Sequence, residues 1–153
     1  MIRVFKISLF ILFFMPIFGM TQGKYCIYEY RSYEAYEKKD YLKAIELMDS
    51  ALLKCPNLSN SAQVWQAIGF YGYEIYRTID KKASDSKARE WAIEAFKKSI
   101  ELDTTDSKYD TTSRKVIASI AKYYWNDLAL RMDTNNFEQT FAFYKKYVET
   151  YSY

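Results

Sequence analysis

The sequence predicts an all-α fold of three stacked antiparallel helix hairpins behind an N-terminal signal peptide. Three observations predict it. Ala44, Ile45, Met48, Ala51 and Leu52 follow the i, i+3, i+4, i+7 spacing of one buried helical stripe. Alanine at two places on that stripe implies that another helix backbone comes close there. The unit then recurs: Ala44-Ile45-Glu46 and Ala92-Ile93-Glu94 lie 48 residues apart, and Thr140-Phe141-Ala142 follows after 48 more. Recurrence of one helical unit is the mark of stacked hairpins, and 4 glycines and 2 prolines in 153 residues leave little to interrupt helices.

The N-terminus reads as a leader covering residues 1–21, with the helical domain over residues 25–153. Arg3 and Lys6 precede an uncharged run from Ile7 to Phe18, the basic start and apolar core of a secretory signal peptide. The run is short for a spanning helix, which needs roughly 20 apolar residues. Cleavage is expected between Thr21 and Gln22 or between Gly23 and Lys24; a retained membrane anchor is the rival reading. Losing Arg3 and Lys6 from 22 basic residues leaves 20 against 19 acidic ones, a net charge of +1. Such a balance points to no particular partner, and no basic run suggests nucleic acid.

Each element has a local reason. A first helix spans about Tyr25 to Glu37 and turns at Lys38-Lys39-Asp40. Its partner runs from Tyr41 to Lys54 and is stopped by Pro56-Asn57. Ser59-Asn60-Ser61 offers caps for a third helix, about Ala62 to Ile79, with Gly69 and Gly72 inside it. Each glycine costs a helix about 1 kcal/mol against alanine, so a close backbone crossing is expected there. Asp85 or Ser86 caps a fourth helix to about Leu102. After the polar stretch 103–107, a fifth helix covers about Thr112 to Met132, with Val116, Ile117, Ile120, Ala121, Tyr124 and Leu128 inward. Residues 133–136 turn the chain into a sixth helix, Phe137 to about Tyr151. On it, Phe137, Phe141, Tyr144, Val148 and Tyr151 are expected to pack on the fifth helix, leaving Phe143 and Tyr147 partly exposed.

Two cysteines, Cys26 and Cys55, fall near the start of the first helix and the end of its partner, so an antiparallel hairpin in an oxidising compartment brings them together as a disulfide. No metal or cofactor is expected: there is no histidine, and two isolated thiols make a poor zinc site. The chain has no phosphate loop and no nucleophile elbow, and its carboxylates sit on amphipathic helices. A small hydrolase working through two carboxylates is the remote catalytic alternative.

These segments resemble the tetratricopeptide repeat family. Asp40-Tyr41 stands at the family's Gly-Asp-Tyr turn, with Lys39 in place of the glycine, and Ala44-Ile45-Glu46, Ala51-Leu52 and Pro56-Asn57 follow in register. Trp65, Ile68-Gly69 and Tyr73 open a second unit, and Ala92-Ile93-Glu94, Phe96 and Ile100 close it, with about eleven extra residues between. The third unit keeps Asn136-Phe137 at its turn, with Thr140 and Tyr147 at the family's small-residue positions. The resemblance implies that the first helix of each hairpin lines a concave groove for a protein or peptide partner. It assigns Glu29, Tyr33, Tyr36 and Glu37 to that groove, then Gln66, Phe70, Tyr73 and Glu74, then Trp125 and Asn126. The residues the family uses to clamp a C-terminal carboxylate are replaced by Glu29 and Tyr33, which disfavours that ligand. The function expected is an exported scaffold in the periplasm, the cell envelope or the medium, without catalysis and without stable membrane insertion. The alternative is a self-associating structural subunit that docks through Phe143, Tyr147 and Tyr151 on its last helix.

Overall fold

The computed structural model describes residues 26–104, 108–132 and 136–153. The leader expected over residues 1–21 and the turns around 105–107 and 133–135 lie outside them. Among the described residues the chain is all-α, and none forms a strand. In chain order the helices are α1 (Ile27–Glu37), α2 (Tyr41–Lys54), α3 (Ala62–Thr78), α4 (Lys87–Leu102), α5 (Lys108–Met132) and α6 (Phe137–Tyr151), with a short 3-10 turn over Pro56–Asn60. No helix among the described residues is long and apolar enough to cross a membrane.

Capping explains most boundaries. Asp40, Ser61, Ser86 and Asn136 each accept, through a side-chain oxygen, the backbone N–H three residues on, which satisfies a donor no helix bond can reach. The α1–α2 turn closes with the Lys39 N–H donating to Tyr36 O and the Asp40 N–H to Ala35 O. Lys39 sits at φ 62 there, the left-handed conformation for which glycine is the usual choice. α5 starts four residues earlier than the sequence suggested, because the Asp103 carboxylate accepts from the Asp110 N–H at 2.9 Å and holds the first turn.

Helices pack mainly with their chain neighbours: α1 on α2, α3 on α4, α5 on α6, with α2–α3 and α4–α5 joining these pairs. Contacts between opposite ends show that each pair is antiparallel. Cys26 and Cys55 lie at disulfide distance, their Cα atoms 6.2 Å apart, where α1 begins and α2 ends. Ser99 Oγ near the end of α4 donates to Ala62 O at the start of α3, at 2.8 Å. Arg131 Nη1 on α5 donates to Gln139 Oε1 on α6 at 2.7 Å, while Arg114, near the other end of α5, donates to the Tyr153 carbonyl.

Two main cores result. One gathers Ala35, Ala44, Ile45, Met48, Ala51, Val64, Ile68 and Tyr71 between α1, α2 and α3. Ala44, Met48 and Ala51 are wholly excluded from solvent, as small residues on a crossing stripe require. The other joins Ala92, Ile93, Phe96 and Ile100 of α4 to Ile117, Ile120 and Tyr124 of α5. Both glycines of α3 serve its crossing with α4: a Cβ on Gly69 would stand 2.7 Å from the Phe96 ring, and one on Gly72 would stand 3.2 Å from the backbone at Ala88 and Ala92. The eleven or so extra residues of the second unit divide between a longer first helix, 17 residues in α3 against 11 in α1, and the link over residues 79–86.

Among the described residues Arg89 is the largest wholly buried side chain, and nothing in the apolar pattern announces it. Its guanidinium lies 2.6 Å from Asp127 Oδ2 and 3.8 Å from the centre of the Tyr124 ring, and it donates to the Ser84 carbonyl. One charged group thus fastens α4 to α5 and to the link that precedes α4. Paired and stacked in this way, a guanidinium tolerates burial that an isolated charge would not.

Candidate partner-binding cleft

α1, α3 and α5, the first helix of each antiparallel pair, surround an open cleft of about 390 Å3. Tyr33 and Tyr36 enter it from α1, Gln63, Gln66, Ala67, Phe70 and Tyr71 from α3, and Tyr109 and Thr112 from α5. The periodicity of α3 explains its share: positions 63, 66, 67 and 70 fall on one helical face, beside the buried stripe of Val64, Ile68 and Tyr71.

Hydrogen bonds fix the walls. Gln66 Nε2 donates to Tyr109 O at 3.0 Å and to Ser113 Oγ at 3.2 Å, which pins α5 against α3. Tyr109 Oη donates to Gln63 Oε1 at 3.3 Å across the opening. Tyr33 Oη donates to Glu29 Oε1 at 3.3 Å, so Glu29 reaches the cleft through Tyr33 and puts a carboxylate at its edge. The Tyr36 ring packs 5.0 Å from Tyr71, whose hydroxyl lies 3.3 Å from Ser32 Oγ. Phe70 sits edge-on to Phe96 with ring centres 5.2 Å apart.

The electrostatics follow from burial. Desolvation pushes the Tyr71 phenol up to about 12, although the Ser32 hydrogen bond works against it. Burial also raises Tyr33, helped by the Glu29 carboxylate, and Tyr36, helped by Glu74. All three phenols are therefore neutral near pH 7. The cleft offers flat aromatic faces, hydroxyls and amides, with the Glu29 carboxylate hydrogen-bonded to Tyr33.

Of the ten residues assigned to the groove, the structure brings Tyr33, Tyr36, Gln66 and Phe70 together in the cleft, and Glu29 meets it through its hydrogen bond with Tyr33. Tyr73 goes elsewhere: it packs between the α4–α5 core and the Ile75–Tyr76–Ala88 cluster, under Arg77 at 5.5 Å. Trp125 needs a correction. It stands on another surface, half exposed, 5.3 Å from Tyr147, beside Leu128, Met132 and Phe141. The third pair contributes Tyr109 and Thr112 instead, because α5 begins early enough to bring its first turns against α3. Tyr109 falls ahead of the fifth helix that the sequence predicts and so carries no signal there, whereas Gln63 has one in its spacing of three from Gln66.

The last helix also needs correcting. Phe143 lies 6.5 Å from Tyr124 and Tyr147 packs against the same core, while Thr150 is buried. The stripe expected to pack inward is the open one: Phe137 is 80% and Phe141 68% exposed, and Tyr144, Val148 and Tyr151 stand out with them. Tyr151 alone of Phe143, Tyr147 and Tyr151 presents most of its ring to solvent. The inward rings meet the α4–α5 core, and Thr140 on the same face donates to Arg131 O of α5. Comparison with known proteins finds no family model, no curated protein and no solved structure that matches the chain.

Proposed function

We propose that the chain is an exported, tetratricopeptide-like scaffold of three stacked antiparallel hairpins that holds an extended segment of a protein partner in a cell-envelope assembly. The observation that carries this reading is the cleft, to which the first helix of every pair contributes an aromatic side chain and α3 adds two amides. Tyrosine gives a large contact area with little rotamer freedom to lose, and a neutral phenol hydrogen-bonds a backbone without drawing a counter-charge. Glu29 at the edge favours a segment bearing donors or a basic side chain over one ending in a carboxylate. Cys26 and Cys55 at disulfide distance support a place outside the reducing cytosol. The mechanism is binding, with catalysis left out.

A photo-crosslinking residue at Gln63 or Thr112, on the cleft, and at Leu53, 81% exposed on α2, tests the reading. In cells that make the protein, adducts of one defined partner should form from the two cleft positions and vanish when Tyr33 and Tyr109 are replaced by alanine. Equal labelling from Leu53, or adducts indifferent to those replacements, would remove the cleft as the binding surface.

A further inference from the structure

α6 carries two apolar stripes, and the fold uses one. The open stripe, Phe137, Phe141, Tyr144, Val148 and Tyr151, advances by four, three, four and three residues. That is the 3.5-residue period of a seam between two helices. α5 continues the same surface, with Trp125, Leu128 and Met132 bordering an apolar trough of about 520 Å3 beside Phe137 and Phe141. Trp125 and Met132, with the five stripe residues, each leave on the order of 100 Å2 open. Together that is roughly 700 Å2, close to the ~800 Å2 a standard interface takes from each partner.

The charges beside the seam select its occupant. Glu138 and Lys145 flank the stripe on one side, each directly after a seam residue. In an antiparallel pair that sets Phe141 beside Tyr144 of a second copy and Phe137 beside its Val148, Glu138 meets Lys145 of that copy. Two-fold symmetry makes this opposite-charge contact twice and closes the assembly. A parallel pair would instead bring these charges to the side of Thr140 and Tyr147, which already face α5.

We propose that α6 pairs antiparallel with α6 of a second copy, each helix seated on the α5–α6 trough of the other. This surface is separate from the cleft, so either proposal stands or falls alone.

Light scattering on the full chain over a range of concentrations should show a dimer, and Phe141→Ser with Tyr144→Ser should shift it to monomer with helicity retained. Glu138→Lys alone, or Lys145→Glu alone, sets like charges together at both contacts and should weaken dimerisation about tenfold. The double reversal should restore it. If the serine variant loses helicity, the charge variants decide, since both positions are exposed. A monomer at every concentration, a dimer indifferent to the α6 variants, or single reversals that the double reversal does not rescue would each overturn the proposal.

Discussion

Lys39 holds a left-handed conformation that costs most side chains about 1 kcal/mol and glycine almost nothing. Its backbone N–H is nevertheless the donor that ends α1, so the turn keeps its shape despite the lysine. Lys39→Gly should therefore raise the unfolding free energy, by roughly 0.5–1 kcal/mol after allowing for glycine's freer unfolded state. Urea unfolding of the two proteins measures this, and a loss of stability would mean the lysine side chain contributes more than its strain. Lys39 was legible in the sequence as the substitute for a turn glycine. Arg89 was not: a charged residue inside an amphipathic helix is read as solvent-facing, and Asp127, its partner, lies 38 residues away. Only the approach of α4 to α5 turns that pair inward.

At the level of the element, the α1–α2 hairpin is the part most fully written in sequence. Asp40 caps α2, Pro56 ends it, and Ala44 and Ala51 face the crossing. Cys26 and Cys55 then meet as two ends of one hairpin, 29 residues apart in sequence. In the chain-entropy account, closing a loop of that length stabilises the fold by roughly 3–4 kcal/mol. Reductant should lower the melting temperature by a corresponding amount, and the untreated, denatured protein should show no thiol reactive to maleimide. α6 is the opposite case. Both of its stripes carry aromatics at helical spacing, so periodicity ranks them equally. The choice fell to the side whose rings, Phe143 and Tyr147, meet the α4–α5 core.

For the whole molecule, buried phenols make stability depend on alkaline pH. Tyr71 and Tyr124 are pushed to about 12, chiefly by burial, and an unfolded tyrosine titrates near 10. Between those values the unfolded chain gives up protons that the folded chain retains. The sign follows: the stability these residues contribute is complete below pH ~10 and is lost as pH rises toward ~12. The melting temperature should fall steeply across that window. Tyr71→Phe should flatten the fall, while an unchanged slope would assign the effect to other groups.

The sequence by itself determined the all-α class, six helices near their observed limits, the α1–α2 hairpin with its cysteine pair, and the inward face of α5. Those features rest on local chemistry: apolar spacing, capping side chains, a proline stop and small residues at a crossing. The tertiary structure decided where the faces went. Four groove residues converge because α1, α3 and α5 lie side by side, Trp125 leaves them because its face of α5 turns toward α6, and Tyr109 replaces it because Asp103 starts α5 early. Periodicity specifies that a helix has a buried face, but which of two similar faces is buried depends on the shape of the neighbour it meets.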